Sequence, residues 1–264
     1  MFNLVIILLS TINTEPKDSN NYKIAKYIIE NLHTLEDCTI TELSRNCYVS
    51  SSSISRFCRD IGLSDFNELR IQVARIPLAL QQASHKFSYK EFDDSFCSSY
   101  VKSVTDNLFN AFDSREIEDK IQLLVNDLYT YKKVAAFGYM QSENVALNLQ
   151  YDLQTSGKPI FTRLKFVDQV EYIKAAKEDT LIIIFSDSGS YFDYVFNRTT
   201  PFKNTAKKPK IYMVTSNKNL NIPYIDHFIT YNSRKDYASH PYPLMLIADM
   251  ICFQYAKSSH HKNL

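Results

Sequence analysis

The 264-residue sequence contains no tryptophan and only four glycines. Because glycine adopts left-handed backbone conformations at little cost, we expect each of the four to have a structural task. The formal net charge is only +1, which argues against a long polybasic tail or an acidic disordered one. With 45% hydrophobic and 22% charged residues, the composition is that of a globular protein of one large domain or two small ones.

Cysteine is scarce and never has the spacing of a metal site or a disulfide framework. An odd, scattered set is typical of reduced thiols, so we expect a cytoplasmic protein with no bound metal and no cofactor. Two of the thiols, Cys47 and Cys58, are expected to pack as small hydrophobes. The five cysteines are Cys38, Cys47, Cys58, Cys97 and Cys252.

No hydrophobic run is long enough to span a bilayer as a single helix. The apolar segment FNLVIILLSTI near the N-terminus is too short, no Lys or Arg precedes it, and it lacks a small-residue cleavage pattern. We interpret it as the first helix of an N-terminal domain, available for a dimer interface. A membrane role is the minor alternative.

The segment TITELSRNCYVSSSSISRFCRDIG, residues 39–62, has the pattern of a helix-turn-helix. Thr39 and Glu42 are spaced as a capping box for its first helix. Ser50 is placed to cap the second helix, and Gly62 stands where a left-handed C-cap favours glycine. The apolar face of the second helix consists of Ile54, Phe57, Cys58 and Ile61.

The other face of this second helix carries side chains that suit a recognition helix in the major groove. Serine can hydrogen-bond to bases or phosphates, and arginine can bind guanine or a phosphate. The positive helix N-terminus also favours a phosphate. The alternative is an ordinary helical hairpin. The candidate DNA-binding residues are Ser51, Ser52, Ser53, Ser55, Arg56, Arg59 and Arg45.

The overall charge of the N-terminal region does not support strong non-specific DNA binding. Residues 1–80 carry eight Lys and Arg against nine Asp and Glu, a net charge of −1. A strong non-specific binder would have a basic footprint. DNA binding must therefore come from the local placement of the arginines, together with Lys23 or Lys26. Dimerisation would double the number of these basic residues that face the DNA.

The chain divides into two predicted domains: a helical DNA-binding domain over residues 1–80 and an α/β domain over residues 96–264. A linker is predicted over 81–95. Before it, Ser64 is expected to cap a further helix. Continuous apolar strands alternate with helices in the second domain, which predicts a three-layer sandwich around a parallel sheet. The predicted strands are 132–139, 159–164, 179–185, 208–217 and 226–231.

Two loops of small residues follow neighbouring predicted strands, where ligands of such sheets bind. Serine hydroxyls and free backbone N–H groups at a helix N-terminus suit a phosphate monoester. Either loop alone could simply cap a helix. The two loops together indicate a ligand-binding site. The candidate residues are Gly138, Ser142, Ser186, Ser188, Gly189 and Ser190.

With these motifs, the chain resembles the RpiR/MurR-type transcription regulators, which join a helix-turn-helix domain to a SIS (sugar isomerase) domain. The resemblance rests most on TITELSRNCYVSSSSISRFCRDIGLSDFNELR and covers almost the whole chain. It implies a homodimer or dimer of dimers that binds palindromic operators in double-stranded DNA. It also implies repression of carbohydrate genes and a SIS domain that senses a phosphosugar.

The two ligand loops depart from the family forms G-x-G-x-S and S-x-S-G-x-T. Met140 replaces the second glycine, and its side chain could fill space that a ligand needs. Tyr191 replaces the threonine and adds a ring. Asp187 brings a negative charge that would repel a phosphate unless it points away.

Three functions are therefore distinguished. The first is a regulator that senses a phosphosugar, and the second is a regulator whose SIS domain is a degenerate dimerisation or protein-contact module. The third is a sugar-phosphate isomerase, which needs a placed acid and base. We expect no enzyme, because no spacing pairs the available side chains, Glu143, Glu171, His227 and His240.

Overall fold

The structure is a computed structural model. It describes residues 4–32, 35, 38–75, 95–112, 114–192, 202, 207–236, 239 and 241–262. The described residues group into two compact units, each with its own hydrophobic core. The predicted linker lies outside the described residues except for its last position, so the predicted domain boundaries stay a proposal. Within the described ranges, no helix combines the length and apolarity needed to cross a membrane.

The first unit is all-helical, as predicted. The apolar N-terminal segment forms its first helix and buries Leu4, Ile7 and Leu8 in the core. Ile24, Ala25 and Ile28 form the buried stripe of the second helix. The five helices are α1 (Leu4–Thr14), α2 (Asn20–Glu30), α3 (Ile40–Asn46), α4 (Ser51–Asp60) and α5 (Phe66–Ala74).

The caps of α3 and α4 confirm the helix-turn-helix pattern. Glu42 donates its backbone N–H to Thr39 Oγ1 at 3.2 Å, and Thr39 donates its own to Glu42 Oε2 at 2.8 Å. Ser50 Oγ accepts the N–H of Ser53 at 3.1 Å at the start of α4. Gly62 follows the helix with φ +85°, the left-handed geometry expected of it.

The prediction that Ser64 caps α5 is wrong. Asp65 is the N-cap, and its Oδ1 accepts the N–H of Glu68 at 2.9 Å. Ser64 instead donates both its N–H and its hydroxyl to Glu68 Oε2, each at 2.8 Å. An ionised carboxylate binds the free N–H groups of a helix start more strongly than a hydroxyl does, which explains the one-residue difference.

The second unit is a parallel α/β domain, which confirms the predicted fold class. Its strands are β1 (Lys133–Gly138), β2 (Thr180–Phe185), β3 (Lys210–Thr215) and β4 (His227–Thr230), in the order β1-β2-β3-β4. Every residue of β2 is buried, so both faces of the sheet are covered. The helices in this part of the chain are α6 (Phe96–Ala111), α7 (Ser114–Thr130), α8 (Gln141–Thr155), α9 (Phe166–Ala175) and α10 (Tyr242–Lys262), and the first half of α9 groups with the first unit.

The predicted strand at 159–164 is reduced to one bridge. Phe161 pairs in parallel with Ala135 of β1, donating its N–H to Val134 O at 2.9 Å and accepting from Ala136 N at 2.8 Å. The residues on either side of it have no regular strand geometry. A fifth strand is therefore present only as a single residue beside β1.

The register of the sheet brings the two ligand loops together. Gly138, the last residue of β1, pairs with Phe185, the last residue of β2. Both strands run the same way, so the loops that follow them begin side by side at the carboxyl edge. The predicted adjacency of these loops is confirmed.

Gly138 allows α8 to begin directly over the end of β1. A Cβ atom at this position would lie 2.5 Å from both the carbonyl carbon and the oxygen of Ser142. Backbone atoms cannot yield to such a contact as a flexible side chain can. At the other end of α8, Gly157 has φ +82° and open space where a Cβ would stand.

We therefore expect Gly138→Ala to destabilise the second unit by about 3 kcal/mol, because overpacking against backbone forces a shift of α8. Gly157→Ala should cost only about 1 kcal/mol, the penalty of a left-handed alanine. Differential scanning calorimetry of the two full-length variants measures both effects. Equal losses of thermal stability would contradict the steric role assigned to Gly138.

Candidate functional site

The helix α4 buries one face and exposes the opposite one. Ile54, Phe57 and Cys58 have no solvent exposure, and burial raises the pKa of the Cys58 thiol to about 12. Ser52, Arg56 and Arg59 are exposed, and their spacing of four and three residues places them on one stripe. Ser55, which is partly exposed, lies on the same side. We call these four residues the outer face of α4.

The serines predicted to bind DNA differ in their surroundings. Ser51 Oγ lies 3.3 Å from Ser44 Oγ of α3. Ser53 Oγ accepts a hydrogen bond from Asn20 Nδ2 of α2 at 3.2 Å. These two side chains therefore fix α4 against its neighbours. Ser52 is exposed, with its hydroxyl 2.7 Å from the capping Ser50 Oγ.

The arginines predicted to bind DNA are exposed and available. Among the residues that the structure describes, Arg45, Arg56 and Arg59 form no salt bridge. Of the two lysines considered with them, Lys23 is likewise exposed, whereas Lys26 lies 3.8 Å from Glu30. Guanidinium groups that form no salt bridge can bind an external anion or base edge without first breaking an ion pair.

Sequence reasoning missed Tyr48, in the turn between α3 and α4. Its side chain is 92% exposed and its φ is +56°. Tyr48 N–H binds Arg45 O at 3.1 Å and Val49 N–H binds Ser44 O at 2.9 Å, which closes the end of α3. A hydrophobicity pattern contains no signal for a residue that is both exposed and left-handed.

The ligand loops of the second unit bring the predicted small residues to one edge of the sheet. Ser142 in the first turn of α8 and Ser186 after β2 are only 5% and 8% exposed. Ser186 Oγ accepts the N–H of Tyr191 at 3.3 Å, and Ser188 Oγ lies 2.6 Å from Ser190 Oγ. We call this region the serine crevice: residues 138–143 and 186–191.

Gly189 and Met140 have left-handed backbone conformations within this crevice. Gly189 has φ +76°, and a Cβ there would lie 2.0 Å from Leu220 Cδ1. Met140 has φ +51°, although it is not a glycine. Met140 stands where the family form has its second glycine, and the backbone there still has a conformation that favours glycine. Holding a methionine in that conformation strains the backbone.

Two tyrosine rings pack between the loops. Tyr191 is 1% exposed, and its ring centroid lies 5.1 Å from that of Tyr139, which directly follows β1. The carboxyl of Glu143 is close enough to contribute, after burial, to raising the pKa of Tyr191. Aromatic side chains thus fill the space between the two loops. Neither Tyr139 nor Glu143 was among the predicted ligand-binding residues.

Asp187 points toward β4. Its Oδ1 accepts the hydroxyl of Tyr231 at 2.5 Å, and its carbonyl accepts Thr215 Oγ1 at 2.9 Å and Ser216 Oγ at 2.8 Å. Burial and the Asp187 charge together raise the pKa of Tyr231. The carboxylate is thus held by the hydroxyl of Tyr231, the residue directly after β4, which fixes its orientation toward that strand.

Of the side chains considered for isomerase chemistry, the three that the structure describes are not assembled. His227 begins β4 at one side of the sheet, whereas Glu143 lies in α8 directly after β1, at the other end of the strand order β1-β2-β3-β4. Glu171 is exposed on α9, and His240 lies outside the described residues. Within the described ranges, no group of three or more His, Cys, Asp and Glu is placed to hold a metal ion.

Comparison with known proteins identifies the first unit. Residues 8–77 match the helix-turn-helix domain of the rpiR family. An uncharacterised HTH-type transcriptional regulator of Caldanaerobacter subterraneus is 33% identical over 109 residues, 39% of this chain and 38% of that protein. The HTH-type transcriptional regulator HexR of Pseudomonas aeruginosa is 24% identical over 174 residues, 63% of this chain and 59% of HexR.

The chain thus spans about two fifths to three fifths of the length of these relatives. Among solved structures, Vibrio vulnificus NanR complexed with ManNAc-6P is similar over 99% of this chain and 94% of that one. The identity is 19% and the TM-score is 0.49.

The first unit is therefore a helix-turn-helix domain of the class found in transcription regulators. Over residues 8–77 its match is to the rpiR family, which confirms the resemblance inferred from the sequence for this part of the chain.

Burial of Glu143 makes the stability of the protein depend on pH. Burial raises the pKa of this carboxyl from 4.5 to about 7. The folded chain then binds more protons than the unfolded chain between these values, so stability falls as pH rises through this window. We expect Glu143→Gln to be more stable relative to wild type at pH 8 than at pH 5. Melting temperatures of the variant and of wild type at pH 5 and pH 8 test this. If their difference in melting temperature is the same at both pH values, burial of the carboxyl is contradicted.

Proposed function

We propose that this chain is a DNA-binding transcription regulator that inserts α4 into the major groove of a palindromic operator. The carrying observation is the outer face of α4, where Ser52, Arg56 and Arg59 are exposed opposite a fully buried apolar face. Exposed donors at the start of a recognition helix are the groups that read base edges. The match to the rpiR helix-turn-helix domain supports the proposal.

We assign different tasks to the residues of this face. Ser52 lies in the first turn of α4 and Arg56 lies one turn later, and both are assigned to base edges. Arg59 lies one turn further along and is assigned to a phosphate, as is Arg45 before the turn. Ser51 and Ser53 hold α4 in position through Ser44 and Asn20, so their contribution to DNA binding is indirect.

Arg56→Ala is expected to lower operator affinity about 10- to 100-fold, because a bidentate base contact provides about 1–3 kcal/mol of discrimination. Ser52→Ala should weaken binding less. Arg59→Ala should reduce the slope of log affinity against log salt by about 1 without changing base preference. The probe is a duplex selected by the wild-type protein from a randomised library, with binding measured by fluorescence anisotropy.

Arg70→Ala is the matched control, because Arg70 is an exposed arginine on α5 outside the outer face. It removes the same charge and should leave affinity near the wild-type value. If Arg56→Ala and Arg70→Ala bind alike, the outer face of α4 is not the reading surface.

We further propose that the second unit is a SIS domain that senses a phosphosugar in the serine crevice and joins chains into a homodimer or dimer of dimers. Ser142, Ser186, Ser188 and Ser190 and the backbone at Gly189 support the ligand site, since hydroxyls beside a helix N-terminus suit a phosphate. A ligand would have to displace the ring of Tyr191. The filled crevice favours the alternative, a degenerate dimerisation or contact module.

A thermal-shift series with sugar phosphates separates these two functions. If the crevice is a ligand site, melting temperature rises with ligand concentration. Tyr191→Thr, which removes the ring and restores the family's hydroxyl, should then bind more tightly, while Ser142→Ala should bind more weakly. A flat response of both wild type and Tyr191→Thr would favour the module without a ligand.

We propose no isomerase activity for this chain. The relatives are named as regulators, and the separation of His227 from Glu143 across the sheet offers no acid–base pair. As a regulator it would act in the cytoplasm, with repression of carbohydrate genes as the role implied by the resemblance. Turnover of an aldose or ketose phosphate that disappears in Glu143→Gln would overturn this part of the proposal.

A further inference from the structure

Tyr48 occupies a backbone position that suits glycine better than tyrosine. Its φ of +56° lies in the left-handed region, where a Cβ atom crowds the carbonyl oxygen. The hydrogen bonds from Tyr48 N–H to Arg45 O and from Val49 N–H to Ser44 O require this conformation to end α3. A glycine would make the same turn without the steric penalty.

Within the described residues, no contact of the Tyr48 side chain offsets this strain. The side chain is 92% exposed, and across the described residues its ring and hydroxyl make no hydrogen bond and no ring contact. Burial and packing therefore do not account for a large aromatic residue at this strained position. Strain of this kind concentrates at functional sites, so an external contact is the physical explanation to test.

The position of Tyr48 indicates which contact that is. It precedes the cap Ser50 by two residues, so it is within about 7 Å of the start of α4 along the chain. Arg45, exposed and without a salt bridge, lies three residues before it. A helix that enters the major groove with its N-terminus brings the preceding turn toward the phosphates at the rim of the groove.

We infer that Tyr48 is a DNA-contacting residue whose hydroxyl donates a hydrogen bond to a backbone phosphate beside the half-site read by α4. This inference rests on the proposed DNA-binding function. Tyrosine is among the side chains that bind phosphate oxygens in protein–DNA complexes. Because the donor is neutral, its contact supports affinity without contributing to the salt dependence that the arginines produce.

The test compares Tyr48→Phe and Tyr48→Gly with wild type on the duplex selected from the randomised library. Tyr48→Phe removes only the hydroxyl and should weaken binding about three- to tenfold. The salt slope and the base preference should stay at their wild-type values. Tyr48→Gly should weaken binding at least as much, while its melting temperature stays equal to or above that of wild type because glycine relieves the strain.

Tyr151→Phe is the control, because Tyr151 is a 70% exposed tyrosine on α8 in the other unit. It should bind the duplex as wild type does. Arg56→Ala is measured in parallel and reports on the proposed function itself. The two proposals can then fail separately.

If Tyr48→Phe binds as tightly as wild type while Arg56→Ala is weakened, the inference about Tyr48 is overturned and the regulator function stands. A loss confined to Tyr48→Gly would equally overturn the hydroxyl contact. If the wild-type protein selects no duplex, or Arg56→Ala binds as wild type, the proposed reading surface fails and the Tyr48 contact fails with it.

Discussion

The burial of one face of α4 determines what the first unit can present to DNA. Ile54, Phe57 and Cys58 are fully buried, and successive residues of an α-helix are rotated by about 100°. Arg56 is therefore rotated by about 200° from Ile54, as Arg59 is from Phe57, and both must face outward. The core of the unit and its reading face are two consequences of one packing arrangement.

The second unit shows that a fold can place a site without determining its chemistry. Parallel pairing of β1 with β2 and the close approach at Gly138 put two small-residue loops side by side. The contents of the crevice then depend on individual residues. Here Tyr191 and Tyr139 fill it, and Glu143 adds a half-buried carboxyl where a phosphate ligand would favour a cation.

Local patterns predicted the fold well because their causes are local. The capping box of α3, the glycine after α4 and the fully buried strands depend on residues within a few positions of one another. The error in the cap of α5 was small for the same reason: Ser64 and Asp65 are adjacent polar residues, so the predicted and the observed cap differ by one position. The aromatic filling of the crevice and the Tyr231–Asp187 contact join distant parts of the chain, so no spacing could predict them.

A DNA-binding domain without excess positive charge must depend on well-placed specific contacts more than on electrostatic attraction to the phosphates. Counterion release scales with the number of phosphates neutralised, and residues 1–80 have a net charge of −1. Non-specific binding should then be weak, so a larger share of operator affinity has to come from base contacts and from neutral donors. An uncharged phosphate contact at Tyr48 suits such a domain, since it orients α4 on the duplex without strengthening its attachment to every other sequence.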